Sequence, residues 1–401
     1  MGDLKPTIRT ITAFIDFSDY EFEHINQLET KLEKHVGFLR EMESELGQAG
    51  YLVQTLRIAT NPFGEWLNER IDRLKTLDTL LASHKIDFCS VGPANNHVEA
   101  ALCQDIVSTS SRFSCSMNID SGAVEDANLA ANIILSISKL GDRPHAPAFL
   151  KEGQGNFRFC AASNCKPYIP FFPAAKSETT ESSSVKFAIG LENGSVLQTM
   201  LRDVQSIGNI RIEFGKQMKT MLLPIQLLCE KVAKQEAAQF LGIDSSLNPS
   251  LEETGSVASA VECLEEVKTF GGPGTVAAAS QLTTTLQSLS GIKLTGYCGL
   301  MLPVCEDTRL AQLSNKHIRQ LRISDLLSIS SVCGVGLDTV PIPGNASQED
   351  IASIILDMAG VAGRWKKSLS CRLFPVPGLK SGDMTAFDSP YLVNANVFSV
   401  E

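Results

Sequence analysis

Short segments rich in β-branched residues alternate with longer amphipathic segments along most of this chain. Residues 8–16 (Ile-Arg-Thr-Ile-Thr-Ala-Phe-Ile-Asp) are typical of a buried strand, and residues 22–50 place Leu28, Leu32 and Leu39 on one helical face. Such alternation is typical of an α/β protein with a largely parallel sheet or barrel. Because 401 residues suffice for one large barrel, we predict a single α/β barrel-like domain over 1–401, with helices surrounding the strands.

The same patterns predict the remaining elements and their ends. The helix at 347–364 begins with Ser347-Gln-Glu-Asp350, in which Ser and Asp can cap the first turn. Two proline-flanked corners, 341–344 and 375–378, are expected to end strands, because proline cannot continue a hydrogen-bonded ladder. Further strands are predicted at 51–59, 86–91, 156–162, 292–304 and 370–376, and further helices at 66–84, 126–140, 276–289 and 324–330.

Two segments depart from this alternation. Residues 177–184 (Ser-Glu-Thr-Thr-Glu-Ser-Ser-Ser) are polar and of low complexity, which predicts a flexible surface loop. Residues 196–241 predict a long helical region, interrupted near Gly208 and at Pro224. This helical region is the candidate for a homodimer interface.

Charge, hydropathy and cysteine usage restrict the classes of function. A formal net charge of -10 argues against nucleic-acid binding, which normally needs a basic face. No apolar run reaches the roughly 18 residues of a membrane span, and residues 1–5 lack the apolar segment of a signal peptide. The eleven cysteines are an odd number without a CxxC pair, which favours free thiols in a reducing compartment. We therefore predict a cytoplasmic protein that binds neither nucleic acid nor membranes.

The segment 331–344 (Ser-Val-Cys-Gly-Val-Gly-Leu-Asp-Thr-Val-Pro-Ile-Pro-Gly) has the composition of a site. Gly334 and Gly336 cost conformational entropy in a strand unless the backbone turns sharply or approaches another group closely. Cys333 is a candidate nucleophile or proton donor if a cation or a helix N-terminus lowers its pKa. The alternative is a small buried hydrophobic residue. Asp338 in the same segment is a candidate catalytic carboxylate.

Glu306 and Asp307 follow the apolar run 300–304 almost directly. Ligands of α/β folds sit where strands end, so this pair is a candidate acid and base, or a source of oxygen ligands for a divalent cation such as Mg2+ or Ca2+. The alternative is a solvated turn in which Asp307 caps a helix. Asp16 is a further strand-end carboxylate.

Two loops are candidates for substrate binding. Residues 270–275 (Phe-Gly-Gly-Pro-Gly-Thr) precede a helix, so backbone amides at Gly272, Gly274 and Thr275 are expected to bind an anionic group. A tight helix start without a ligand is the alternative. Lys380 and Asp383 supply a cation and an anion in a short loop that can close over a site, although such a loop is more often a solvated turn.

Several motifs together resemble one known family. They are Pro-Phe-Phe-Pro-Ala-Ala at 170–175, the glycine-rich 270–275, Gly-Leu-Met-Leu-Pro-Val-Cys-Glu-Asp at 299–307, 333–344, Phe-Pro-Val-Pro-Gly at 374–378 and Phe-Asp-Ser-Pro-Tyr at 387–391. In this order they are similar to the domain-of-unknown-function family 711. The resemblance implies the α/β barrel of pyruvate formate-lyase and other glycyl-radical enzymes, and a homodimer. Residues 371–378 do not match the glycyl-radical motif, so radical catalysis is disfavoured.

Together these observations predict an enzyme acting on a small polar or anionic metabolite. Cys333, Asp338, Glu306 and Asp307 are expected to carry acid-base or thiol chemistry of a hydrolase or lyase type. Gly272, Gly274, Thr275, Gly334, Lys380 and Asp383 are expected to bind the substrate. The alternative is a metabolite-binding barrel without catalysis, or a homo-oligomeric assembly protein.

Overall fold

A computed structural model describes residues 5–179 and 184–400. Within them, nine strands form one mixed sheet in the order β7-β6-β1-β2-β3-β4-β5-β9-β8. The strands are β1 (Thr7–Ile15), β2 (Leu56–Thr60), β3 (Phe88–Ala94), β4 (Phe113–Asn118), β5 (Phe159–Ser163), β6 (Lys186–Glu192), β7 (Gln239–Asp244), β8 (Gly336–Pro343) and β9 (Leu369–Val376). The protein is therefore a mixed α/β structure, as its sequence pattern predicts.

The strands run in two opposed sets. The first five, β1 to β5, are parallel to one another. The pairs β6–β7 and β8–β9 are each parallel internally, but β6 runs antiparallel to β1 and β9 runs antiparallel to β5. One end of the sheet consequently holds the beginnings of β1 to β5 beside the end of β6.

Helices connect most of the strands and pack against the sheet. The predicted apolar stripe of α2 is confirmed, because Leu28, Leu32 and Leu39 are fully buried. The predicted cap of α13 is also confirmed: the Asp350 amide donates to Ser347 Oγ over 3.0 Å. The helices are α1 (Asp19–Glu23), α2 (Ile25–Gln48), α3 (Ile71–Ser83), α4 (His97–Ala100), α5 (Cys103–Thr109), α6 (Val124–Ser138), α7 (Gly194–Val204), α8 (Gly215–Gln235), α9 (Val257–Val261), α10 (Thr275–Gln287), α11 (Thr308–Leu313), α12 (Ile323–Ser330) and α13 (Gln348–Trp365).

The helical region at 196–241 differs from the prediction in two respects. The interruption near Gly208 is present, as short 3₁₀ and π turns between α7 and α8. Pro224, however, lies inside α8 without ending it, because the buried face around Leu222 and Ile225 holds the helix in place. The helix ends at Gln235, and the residues from 239 onward belong to β7.

Three strand predictions are also wrong. Residues 292–304 form only isolated parallel bridges. Two of these join the segment to Ile243 of β7 and to Leu247 just after β7, and one joins it to Asp338 of β8. The short strand β4 escaped detection, because alternating serines weaken its apolar pattern. Pro341 and Pro375 lie within β8 and β9 rather than ending them. Pro341 pairs with Phe374 of β9, and Pro375 lies beyond the residues of β9 that pair with β5, so each proline has a paired strand on one side only, where proline is tolerated.

The segment that follows β5 lies against the strands. Thr12 Oγ1 donates to the Pro170 carbonyl (2.9 Å) and Ser90 Oγ to the Ala175 carbonyl (2.7 Å). The predicted loop at 177–184 begins with a buried residue, since Ser177 is 1% exposed and its amide donates to the Thr60 carbonyl. Residues 180–183 of that loop lie outside the described part of the chain. Among the helices of the described residues, none is long and apolar enough to cross a membrane.

Candidate functional site

A cavity of about 730 Å³ lies where β1 to β5 begin and β6 ends. Arg9 and Arg57 reach it from the first residues of β1 and β2, and Glu192 from the last residue of β6. Phe171 and Phe172, from the segment that follows β5, form part of its wall. The cavity has the size and the mixture of apolar and charged groups that are usual for small-molecule sites.

Three carboxylates of the cavity wall bind two arginines. Arg372 Nε lies 2.6 Å from Asp338 Oδ1, and its Nη2 lies 2.9 Å from Glu306 Oε1. Arg9 Nη1 lies 2.6 Å from Glu192 Oε2, and its Nη2 lies 3.5 Å from the second oxygen of Glu306. The network ties strands of both sets together, so it holds this part of the wall in one arrangement.

Burial and neighbouring charges shift the pKa values within this network. Burial would lower the pKa of Arg372, but Asp338 and Glu306 beside it raise that pKa above its ordinary value. For Glu306, burial outweighs the attraction of Arg372 and raises the pKa of the carboxyl group. Glu306 is therefore a stronger base than an exposed carboxylate, which suits proton transfer.

Arg57 lines the same cavity without a carboxylate partner in the described part of the chain. Its guanidinium lies between two aromatic rings, 4.9 Å from the centroid of Phe88 and 5.3 Å from that of Phe172. Its Nε donates to Thr55 Oγ1 over 2.9 Å. Burial, together with the positive charge of Arg9, lowers the pKa of Arg57 to about 9. The negative charge of Glu306 offsets only part of this effect. A cation that is only 8% exposed and has no carboxylate at ion-pair distance among the described residues is costly unless a ligand supplies a counter-charge.

Two further side chains of the cavity wall, Arg158 and Ser114, have polar atoms without a hydrogen-bond partner in the part of the chain that the structure describes. Arg158 stacks 4.4 Å from the Phe149 ring and donates through Nη2 to the Val107 carbonyl. Its buried Nε, and the buried Oγ of Ser114, have no hydrogen-bond partner among the described residues. Burial lowers the pKa of Arg158 to about 9. Buried polar groups are nearly always satisfied in native proteins, so these two atoms point to a missing partner.

Of the predicted catalytic residues, the structure brings Glu306 and Asp338 together on the cavity wall. Asp307 instead caps α11 and is fully buried, accepting from Ser256 Oγ over 2.6 Å and from the amides of Val257 and Leu310. It is not among the residues that line the cavity. Its carboxylate is therefore engaged in helix capping.

Cys333 also lies away from the cavity lining. Its Sγ accepts the Leu300 amide over 2.8 Å, and burial raises the pKa of the thiol. The glycines around it serve close backbone packing. Gly336 has φ +101°, and a Cβ on it would lie 2.1 Å from the Ser370 carbonyl oxygen, while a Cβ on Gly334 would lie 3.2 Å from the Tyr297 oxygen.

The predicted substrate-binding loops lie outside the cavity as well. Gly272, Gly274 and Thr275 form the tight start of α10, where a Cβ on Gly274 would lie 2.2 Å from the Glu266 carbonyl oxygen. The loop 380–383 is an exposed turn, closed by a 2.8 Å hydrogen bond from the Lys380 amide to Asp383. All eleven cysteines are free thiols and ten are buried.

The arginines are the site residues that the sequence analysis missed. A signal exists: Arg9, Arg57 and Arg372 are each a single cation inside an otherwise apolar or β-branched strand. In the part of the chain that the structure describes, no cluster of three or more His, Cys, Asp or Glu residues is arranged to hold a metal ion. The Arg372 guanidinium lies between Glu306 and Asp338, where a divalent cation would bind to that pair.

Comparison with known proteins adds the family. A sequence profile described as "Uncharacterised ACR (DUF711)" matches residues 2–389. The chain belongs to the DUF711 family. It is similar to UPF0210 proteins of Pyrobaculum aerophilum (27% identical over 383 residues, 90% of this chain and 82% of the relative) and Methanococcoides burtonii (24% over 404 residues, 95% and 87%). A relative from Carboxydothermus hydrogenoformans is 28% identical over 263 residues, 63% of this chain and 57% of the relative.

The match covers nearly the whole chain, so the DUF711 resemblance read from its motifs is confirmed. The description of DUF711 and the names of these relatives state no activity. A function for this DUF711 member must therefore come from the chemistry of its cavity.

Proposed function

We propose that the protein is an enzyme that carries out acid-base chemistry on a small anionic metabolite bound in the 730 Å³ cavity. The observation that carries the proposal is Arg57, a nearly buried cation that lines the cavity and has no carboxylate partner in the described residues. An anionic ligand would compensate the cost of burying that charge. Arginine is well suited to this role, because its fork of donors matches carboxylate and phosphate groups.

Glu306 is the proposed proton-transfer residue. It lines the cavity, and its raised pKa makes it a better base than an exposed glutamate. Arg372 binds both Glu306 and Asp338, so Asp338 is proposed to position Arg372 and, through it, the base. Proton abstraction next to a bound carboxylate or phosphate fits a hydrolase or lyase type of reaction.

The proposal leaves out four sets of residues from the sequence prediction, for physical reasons. Asp307 is occupied with helix capping, and the Cys333 thiol is buried, hydrogen-bonded and poorly acidic. Neither the glycine-rich start of α10 nor the 380–383 turn lines the cavity. No divalent cation is included, since Arg372 already binds the candidate ligands.

One observation favours a second candidate, a metabolite-binding protein without catalysis. Both oxygens of Glu306 have an arginine partner, one at 2.9 Å and the other at 3.5 Å. A carboxylate held in this way can have a purely structural role. The two candidates agree on an anionic ligand and differ in whether it is converted.

A ligand screen followed by a test of turnover separates the two. Carboxylates and phosphates that raise the melting temperature would be incubated with the protein, and the products analysed by mass spectrometry. Glu306→Gln should retain binding and lose turnover, while Glu43→Gln, at a surface glutamate that is paired with Arg40 away from the cavity lining, is the control and should retain both. Binding without turnover would support the second candidate. If Arg57→Met left the melting shift of every active anion unchanged, both proposals would be wrong.

We also propose that the sheet closes into the predicted barrel. The segment 292–304 lies beside both outer strands: Leu300 forms a parallel bridge with Leu247 beyond β7, and Pro303 forms one with Asp338 of β8. The Met301 amide also donates to the Leu247 carbonyl over 2.9 Å. Slow hydrogen exchange at Met301 would support closure, and exchange at the rate of an exposed loop would contradict it.

The predicted homodimer and the predicted relation to glycyl-radical enzymes stay predictions. The region proposed as the dimer interface carries two exposed apolar side chains, Ile212 (71%) and Leu227 (56%). Light scattering during size-exclusion chromatography would measure the oligomeric state. A monomer at high micromolar concentration would contradict the dimer.

A further inference from the structure

We infer that the ligand carries two anionic groups, one at each end of an apolar body, bound by Arg57 at one end and by Arg158 with Ser114 at the other. The inference rests on the proposed function, because it names the class of substrate that the same cavity would take. It is based on three buried polar side chains of the cavity wall, Arg57, Arg158 and Ser114, which have donor atoms without a hydrogen-bond partner among the described residues, and on the aromatic residues between them.

The first end is the edge of the Arg57 guanidinium. The Phe88 and Phe172 rings lie near the guanidinium at 4.9 and 5.3 Å, and Nε already donates to Thr55 Oγ1. The terminal nitrogens, for which the described residues provide neither a hydrogen-bond nor an ion-pair partner, remain available. Two parallel N–H donors in one plane form the geometry that a carboxylate or a phosphate accepts in a bidentate manner.

The second end is formed by two adjacent strands. Cys115 of β4 pairs in register with Phe159 of β5, so the residues just before them, Ser114 and Arg158, lie side by side. Ser114 is 3% exposed and Arg158 is 7% exposed, and both line the cavity. The Oγ of Ser114 and the Nε of Arg158 have no partner in the described part of the chain. Both atoms are buried beneath the cavity surface, so they become donors to an oxyanion only when the two side chains turn toward it.

The distance between the two ends follows from the order of the strands. Arg57 is on β2 and Ser114 is on β4, with β3 between them. Arg57 pairs with Phe88, whereas Ser114 pairs with Ser90, two residues further along β3. Two strand spacings of about 4.8 Å, combined with an offset of two residues at about 3.3 Å each, separate Arg57 from Ser114 by roughly 12 Å. Phe88 begins the intervening strand, and Phe157 also lines the cavity. The middle of the ligand therefore faces aromatic rings, and its ends face donors.

Isothermal titration calorimetry with defined probes tests this inference. The probes are straight-chain α,ω-dicarboxylates of increasing length and the monocarboxylates of equal length, titrated into the full-length protein and into Arg57→Met, Arg158→Met and Ser114→Ala. Arg70→Met is the control, because Arg70 is an exposed arginine paired with Asp72 away from the cavity lining.

The expected result is an optimum in chain length near a carboxylate separation of about 12 Å. At that length the dicarboxylate should bind at least tenfold more tightly than its monocarboxylate. Arg57→Met and Arg158→Met should each abolish this difference, and Arg70→Met should preserve it. Ser114→Ala is a smaller change and should reduce the difference in affinity between the dicarboxylate and the monocarboxylate. It keeps the test valid if Arg158→Met does not fold.

Two negative outcomes have different meanings. In the first outcome, mono- and dicarboxylates bind equally tightly, Arg57→Met abolishes the binding of both, and Ser114→Ala and Arg158→Met leave both affinities unchanged. The two-ended ligand would then be wrong, and the anion site at Arg57 would stand. If no carboxylate or phosphate bound at any length and Arg57→Met had no effect, the proposed function itself would be wrong, and this inference with it.

Discussion

Replacing Arg57 with methionine is predicted to stabilise the ligand-free protein while it abolishes anion binding. Burial lowers the pKa of Arg57 to about 9, more than three units below that of a free guanidinium. Each unit corresponds to about 1.36 kcal/mol, so the charged side chain costs the folded state on the order of 5 kcal/mol at pH 7. This cost is fully present below pH 9 and is relieved only as the pH rises above it, because the folded-state pKa is the lower one.

The substitution also removes favourable contacts. The two aromatic contacts of Arg57 contribute about 1 kcal/mol each, and the hydrogen bond to Thr55 contributes about 1 kcal/mol. The net gain for Arg57→Met is therefore about 2 kcal/mol. With an unfolding entropy of about 2.1 cal/mol/K per residue, a chain of this length gains roughly 1 °C per kcal/mol, so the melting temperature should rise by about 2 °C.

The matched variant is Arg372→Met, at an arginine of similar burial that has two carboxylate partners. Its removal leaves the buried Glu306 and the partly buried Asp338 without their closest cation, which typically costs about 3–5 kcal/mol. Differential scanning calorimetry and urea unfolding of both variants, without added anions, provide the comparison. If Arg57→Met were destabilised as much as Arg372→Met, the reasoning that Arg57 is an uncompensated charge would be refuted.

Three further predictions concern the remaining site residues and the backbone. The activity of the wild type should rise with pH through the raised pKa of Glu306, because the base must be deprotonated. Any residual activity of Glu306→Gln should lack this rise, and a variant with the activity and pH profile of the wild type would exclude Glu306 as the base. Gly336→Ala should destabilise the protein by about 1–3 kcal/mol or more in urea unfolding, because Gly336 has a positive φ and its new Cβ would lie 2.1 Å from a backbone oxygen. Gly360→Ala has open space around its Cβ and should stabilise α13 by up to about 1 kcal/mol. Equal effects of the two substitutions would contradict the packing argument. In calorimetric titrations Asp307→Ala and Cys333→Ala should both bind anions like the wild type. Asp307→Ala should nevertheless lose about 2 kcal/mol of folding stability, because the helix cap is removed. Loss of anion binding in a folded Cys333→Ala variant would restore the thiol as a site residue.

Much of the fold could be predicted because its strands and helices have strong local patterns. β1 is rich in β-branched residues, β9 is largely apolar, and α13 has a capping box of its own. The failures arise where tertiary context decides. Pro224 continues a helix whose face is buried, and β4 carries serines that weaken its apolar pattern.

The candidate site was only partly predictable for a related reason. Glu306 and Asp338 could be proposed as strand-end or glycine-flanked carboxylates, but the group that joins them, Arg372, lies within β9 and belongs to no local motif. Cys333 attracted attention through Gly334 and Gly336, whose role is backbone packing against neighbouring segments. Local sequence cannot distinguish a glycine that makes room for a ligand from one that makes room for another strand.

The opposed directions of the two strand sets give the cavity an electrical polarity. Arg9 and Arg57 enter it from the set that begins there, and Glu192 from the set that ends there. The Arg9–Glu192 pair, whose atoms lie 2.6 Å apart on neighbouring strands, is thus a fixed dipole on the cavity wall, and the charge of Arg57 adds to its positive side. Such a preorganised field acts on a bound molecule before any side chain moves. A ligand with unlike ends would be admitted in one orientation, and its bonds would be polarised in one sense.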